Sequence, residues 1–453
     1  MSRGRKFPIF GIIVGILFLL VAAVAIWRSS VTSANSKQLR AIAARGEPTT
    51  LAELDKFYRA VPDSNNAALL WLRGAAALTN DLGNIAGKVN PRRGVSVPEN
   101  LLQEIAEALA TNADALALFH RAARLDQSRY PVSLSQQPLT NLHHLAKLKG
   151  AAQVLRAEAA VALSQTNTAL AAEATTAIFG AGRSMMSEPI MISQLVAYAI
   201  DAIGVQTLQF ALNTASFDEH DLAMMQSAVA KADDPESAAR GLLGERAFFI
   251  SGLSDPSRFI AGMRLGPPSG IEEIVSEVFV QPIAQLSGFW QRDLRFGINA
   301  LTAHLESARL SDPQRFHATT NIDATAQRAR TGYYIMSGMV LPAMAKYLQR
   351  DTNHRAQLRT SLSGIAVERF RLAHNGKLPE DLSSLVPNFL DKIPFDPFDG
   401  QPLRYKRTAN GFVVYSIGPD EKDDGAIEPP PGPKPKSLWD VTFIVERPQP
   451  ANE

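Results

Sequence analysis

Residues 7–27 carry no charged side chain, and no other part of the 453-residue chain reaches membrane-spanning length in this way. About 21 residues at 1.5 Å each make a helix of roughly 31 Å, the thickness of a hydrocarbon core. Arg3, Arg5 and Lys6 precede the stretch, and Trp27 with Arg28 closes it in the manner of an interfacial belt. A cleaved signal peptide with Ala23 and Ala25 at its cleavage site is the rival reading, but signal peptides use a shorter apolar core of roughly 7–15 residues. The expectation is a single-pass anchor at 1–30. Its very short N-terminal flank points to an anchor in the inner membrane with the N-terminus on the cytoplasmic side and the body outside the cytoplasm, in the periplasm or an equivalent space. Gly11 and Gly15 form a GxxxG pair, which predicts close helix approach and a homodimer through that face.

The chain has enough apolar residues for a large core besides this segment, with 46% hydrophobic against 20% charged. The 46 Lys and Arg nearly balance 44 Asp and Glu, which speaks against a nucleic-acid binder, whose basic face would be concentrated. There is no cysteine, so disulfides, thiolate zinc sites and cysteine nucleophiles are excluded.

From 31 to 350 the pattern predicts an all-helical domain. Thr50 with Glu53, Ser96 with Glu99, and Ser216 with Glu219 each have capping-box spacing ahead of an apolar-periodic run. Ala- and Leu-rich stretches at 65–79, 144–163 and 191–212 read as helices that pack closely. Pro and Gly punctuation predicts breaks at 80–98, 127–139, 182–189, 254–270 and 311–320. No 34- to 45-residue signature recurs, so an irregular bundle is favoured over a repeat array.

Motifs for catalysis are scarce. The eight histidines (120, 143, 144, 220, 304, 317, 354 and 374) form no HExxH and no i, i+4 pair, and read as surface or satisfied core. The segment from Gly83 to Val89 is one residue short of a phosphate loop, and Gly180-Ala181-Gly182 lacks the third glycine of a dinucleotide site. Glu272, Glu273 and Glu277 share a helix face, which reads as solvated.

The final segment changes character. A helix over about 355–374 ends at Gly376, and Asp396-Pro397 and Asp399-Gly400 mark turns. Strands are predicted at 403–406, 412–416 and 439–446, with Asn410-Gly411 as the two-residue hairpin turn. The fold class is therefore mainly α: a membrane helix, a multi-helix middle, and a small C-terminal α+β domain at 355–447 with a three-stranded antiparallel sheet.

The runs ERFRLAHNGKLP (368–379), DPFDGQPLRY (396–405) and VYSIGPDEKDDG (414–425) make this domain resemble the C-terminal domain of the major pseudopilin of type II secretion. The resemblance covers about a fifth of the chain. It implies a long helix on a three-stranded sheet and a calcium-binding loop, with Ser416, Gly418, Pro419 and Asp420 matching the motif and Asp440 at the last strand. Calcium takes roughly six to eight hard oxygens, and Ser416, Asp420, Asp423, Asp424 and Asp440 are the candidate ligands. The insertion at 428–436 departs from the family. So does the start of the chain: pseudopilins carry a glutamate early in the apolar helix, and no acidic residue occurs here before Glu47. The functional expectation is a membrane-anchored envelope protein acting as an interaction or scaffold module linked to type II secretion. An envelope hydrolase with its site in the helical domain is the alternative, to be signalled by a pocket with converging ionisable groups.

Overall fold

The computed structural model describes residues 7–91, 93–135, 142–254, 287–428 and 439–447. The Glu272 to Glu277 cluster and most of the proline-rich insertion lie outside them. The molecule is mainly helical, with an N-terminal apolar helix and a C-terminal three-stranded antiparallel sheet. The helices are α1 (Phe7–Ala44), α2 (Leu51–Phe57), α3 (Ala67–Ala77), α4 (Asn80–Ala86), α5 (Glu99–Thr111), α6 (Ala113–Ala123), α7 (His143–Ser164) and α8 (Thr168–Met185). They continue as α9 (Met191–Thr214), α10 (Glu219–Ala232), α11 (Ser237–Ser254), α12 (Phe289–Ala308), α13 (Gln314–His317), α14 (Thr319–Thr331) and α15 (Ile335–Ala373). The strands are β1 (Arg404–Thr408), β2 (Gly411–Ser416) and β3 (Val441–Glu446).

The chain forms two compact units. The first comprises Met1–Phe57, Leu243–Leu305 and Thr320–Met344. In it, α1 is a single helix of 38 residues whose apolar stretch is long enough to cross a membrane, compatible with anchoring. Its side chains from Phe10 to Ile26 are largely exposed, whereas Val31, Asn35 and Ile42 are buried on one helical stripe. The exposure pattern thus switches just past Trp27. Asn35 donates to Gln291 O (2.9 Å), which ties α1 to α12. The buried Arg246 pairs with Glu47 at 2.7 Å. Asp293 of α12 accepts from the Met336 and Ser337 amides (2.8 and 3.1 Å), capping α15 from a neighbouring helix.

The second unit comprises Tyr58–Leu242, Glu306–Thr319 and Ala345–Glu453. At its centre α8 packs on α6, α7, α9 and α10. Small residues allow the close approach: a Cβ at Gly180 would lie 2.7 Å from Ala123 Cβ, and one at Gly204 would lie 2.8 Å from the Phe179 ring. The Gly-Ala-Gly sequence at 180–182 is thus a packing device. The α9 helix is also apolar and long enough to span a membrane, but it is mostly buried as a core helix.

In the tail, β2 pairs antiparallel with β1 and β3. Phe412, Val414, Phe443 and Val445 face Leu358 and Ile365 of α15 in one core cluster. Val413, Tyr415 and Ile444 form a second cluster on the other face. The free edge of β3 is covered by α9: Ile444 N donates to Gln209 Oε1 (3.1 Å), Glu446 N donates to Asn213 Oδ1 (2.7 Å), and Asn213 Nδ2 donates to Ile444 O (2.9 Å). Pairing with side-chain amides quenches an edge that otherwise invites another strand.

Several local expectations are corrected. The Thr50–Glu53 box forms, Glu53 N donating to Thr50 Oγ1 at 3.2 Å and Thr50 N to Glu53 Oε2 at 3.2 Å. The Ser96 box does not, because α5 starts only at Glu99, with Pro98 in the cap position. At α10 the cap is Asp218, two residues beyond Ser216, and it accepts from Asp221 N. The predicted break at 80–98 contains α4. Thr408 pairs with Gly411, so the hairpin loop is Ala409-Asn410 and not Asn410-Gly411. Gly411 is a strand residue whose Cβ would collide with Val445 O. The helix expected at 355–374 is the second half of α15, which starts at Ile335 and carries Pro342 inside it. The boundary expected at 350–355 therefore falls within one helix, and the tail shares its unit with α3 to α10. Gly376 does terminate α15, with φ +83° and its amide donating to Arg371 O (2.8 Å).

Candidate functional site

The second unit contains a cleft of about 880 Å³. Its walls come from α10, the turn at 233–236, the segment 309–315, one face of α15 and the loop 387–395. Arg355 and Arg359 stand one helical turn apart on α15, so both guanidiniums reach the same place. They share two carboxylates. Asp233 lies 3.1 Å from Arg355 Nε and 3.2 Å from Arg359 Nε, and Asp312 lies 3.6 Å and 2.8 Å from their Nη2 atoms. Burial alone would push the Arg355 guanidinium down, but Asp233 and Asp312 more than offset it and hold it above the usual arginine value. Asp312 is 7% exposed, and its Oδ1 accepts no hydrogen bond among the described residues.

Arg315 forms the inner wall. It is 4% exposed and donates to Asp351 Oδ2 (3.0 Å) and to Pro235 O (3.1 Å). Asp351 Oδ1 in turn accepts from Tyr198 OH (2.8 Å), which also meets Ser237 Oγ (3.0 Å). Burial raises the Tyr198 hydroxyl far above its usual value, and the Asp351 charge adds to this. The Tyr198 ring stacks on His354 at 4.3 Å, and His354 Nε2 lies 2.9 Å from Asp201 Oδ2. Burial raises the Asp201 carboxyl, against the opposing pull of His354. At the outer rim, Arg369 donates to Gln226 Oε1 (2.7 Å), pairs with Glu219, and lies 5.7 Å from the centre of the Phe389 ring.

None of these side chains was a site candidate from sequence. Two further histidines pair with carboxylates in the same unit: His120 with Glu158 and His144 with Glu188, each at 2.9 Å. Like the His354 pair they are mutually engaged, although Glu188 Oε1, Asp201 Oδ1 and His354 Nδ1 meet no hydrogen-bond partner among the described residues. Only the i, i+4 spacing of Arg355 and Arg359 was a visible signal, and it reads equally as a solvated face.

The sequence-predicted metal residues are arranged differently. Ser416 donates to Asp396 Oδ1 (2.8 Å). Asp396 is fully buried and also accepts from Ile417 N (2.9 Å) and Phe398 N (3.0 Å) and pairs with Arg404 (2.7 Å). Burial raises its carboxyl, against those amide donors. Asp396, which the sequence marked only as a turn residue, is thus the hub that fixes the end of β2. Asp440 accepts from Ala426 N (2.7 Å) and Asp424 N (3.4 Å), Asp423 from Gly425 N (2.9 Å), and Asp420 from Lys422 N (3.3 Å). Asp424 and Asp440 are brought together through that amide, while Ser416 turns toward Asp396. Among the described residues no three His, Asp or Glu side chains are grouped to hold a metal ion.

No family model matches the chain, and neither a curated protein nor a solved structure matches it.

Proposed function

We propose that this chain is a membrane-anchored interaction module of the cell envelope, tethered by α1 and acting through the arginine–carboxylate cleft of its second unit. The observation that carries this reading is the pairing inside the cleft. Arg355 and Arg359 each bridge Asp233 and Asp312, and Arg315 is fixed on Asp351. Such a recess offers a rigid pattern of alternating charge to a polar partner, which favours selective docking over bulk affinity. The pseudopilin-like order of helix, sheet and Ser416–Asp420 turn supports a type II secretion component as the partner, on fold analogy.

An envelope hydrolase is the second reading, and the converging ionisable groups favour it, Asp312 above all. Against it stands the engagement of these groups with one another. The test uses the full chain in membranes from cells that carry the secretion machinery. Co-purification of secretion components, lost when Arg309→Glu and Lys392→Glu reverse the cleft rim without lowering the melting temperature, is the expected result. Capture of none of them would count against the reading. Turnover of a hydrolase substrate panel, abolished by Asp312→Asn, would replace it with the enzyme.

A further inference from the structure

The first unit displays an apolar patch at the junction of α14 and α15. Tyr333 is 79% exposed, Ile335 51% and Met339 60%. Ile335 and Met339 are one turn apart on α15 and share a face. Tyr333 has φ +57°, a left-handed conformation uncommon for a bulky side chain. It takes this conformation as the residue that ends α14, its amide donating to Arg330 O (3.3 Å) and that of Tyr334 to Ala329 O (3.0 Å), and its ring is left in the open.

The position of this patch follows from contacts within the unit. A Cβ at Gly288 would lie 2.9 Å from the Trp27 ring, so α12 starts where the apolar stretch of α1 ends. From there the two helices ascend together: Asn35 meets Gln291, and Gln38 meets Asn299. Arg292, on the first turn of α12, donates to Gly332 O (3.1 Å) and lies 4.3 Å from the centre of the Tyr334 ring. Asp293 beside it caps α15. Four residues separate Gly288 from Arg292, a rise of about 6 Å along the helix. The polar layer outside the hydrocarbon core is itself roughly 5–8 Å thick on each side. With Trp27 at the hydrocarbon boundary, the turn at 332–334 falls within the headgroup layer. Basic residues rim it: Arg292 underlies the turn, and Arg330 lies 3.6 Å from where a Cβ of Gly338 would be. An aromatic and two aliphatic side chains ringed by arginines have the make-up of an interfacial anchor.

We infer that Tyr333, Ile335 and Met339 form a second membrane contact that lies in the headgroup layer beside α1 and takes anionic lipid. The inference rests on the membrane-anchor reading of α1. It makes the first unit a body seated on the bilayer at two places, α1 and this patch.

The chain has no cysteine, so single-cysteine labelling is clean. Tyr333→Cys and Met339→Cys are labelled with an environment-sensitive fluorophore in the full chain, reconstituted in phosphatidylcholine–phosphatidylglycerol vesicles. Leu17→Cys reports on the span, and the exposed Lys377→Cys reports on water. The expected result is that labels at 333 and 339 are blue-shifted and lose emission to lipids carrying a shallow spin-label quencher, while Lys377 does not. Labels at 333 and 339 that match Lys377 while Leu17 is quenched would overturn the inference and leave the anchor standing. An unquenched Leu17 would overturn the anchor reading and the inference with it. Blue-shifted labels beyond the reach of every lipid quencher would show a protein cover, and would also overturn it.

Discussion

The acidic residues at 420–424 with Asp440, and the cleft around Arg355, hold similar carboxylates and use them in opposite ways. In the loop, Asp420, Asp423 and Asp440 accept backbone amides from residues near them in space or sequence. They shape the chain locally. In the cleft, Asp233, Asp312 and Asp351 meet guanidiniums from distant segments and join those segments together. The difference teaches that dense charge in a sequence marks a loop's own folding as readily as a ligand site. Sparse charge becomes a site when helices bring it together.

The largest effect expected concerns the inner wall of the cleft. Asp351→Ala strands Arg315, which is 4% exposed, and leaves Tyr198 OH without its carboxylate. Breaking a buried pair in this way costs about 3–5 kcal/mol, to be read from urea unfolding of the chain in detergent. Asp396→Ala removes the acceptor of two buried amides and a hydroxyl, and should cost about 2–4 kcal/mol at roughly 0.7–1.3 per bond. A cost for Asp351→Ala smaller than that for Asp396→Ala would break the comparison, because it would place the stronger charge cluster in the tail.

Asp440→Ala should cost about 1–2 kcal/mol, and Asp423→Ala, at the exposed edge, under about 0.5. Melting with calcium and with chelator sharpens this point. Coincident curves are expected if the loop carboxylates stay on their amides, whereas a chelator-sensitive midpoint would show that the loop regroups around a cation.

The smallest effect is a pH dependence. Burial lowers the His120 pKa, but the hydrogen bond and charge of Glu158 outweigh it, and the net shift is upward from 6.5. A raised histidine stabilises the fold fully below the unfolded value and loses that contribution as pH rises through the folded one. The stability gap between wild type and His120→Gln should therefore be widest near pH 6 and shrink toward pH 8. A gap that widens with pH would show the pair to be neutral in the fold.

Much of the architecture was legible. The uncharged run at 7–27, the Ala-rich helices and the three strands all announce themselves through local periodicity, which depends only on neighbours in sequence. The details that failed depend on neighbours in space. Asn410-Gly411 has the composition of a hairpin turn, yet Gly411 is placed in β2 by the approach of Val445 O. Ser216 has capping spacing, yet Arg447 Nη1 donates to its hydroxyl at 2.7 Å and Asp218 takes the cap.

By itself, then, the sequence determined the apolar span, the helical class and the order of the tail's elements, because side-chain pattern and turn chemistry act over a few residues. Only the tertiary structure decided that Arg355 and Arg359 bridge Asp233 and Asp312, that Asp396 rather than Asp440 is the hub of the tail, and that Tyr333 stands exposed at the junction of α14 and α15. Each of those facts is a meeting of residues far apart along the chain, and such meetings are set by how the helices pack.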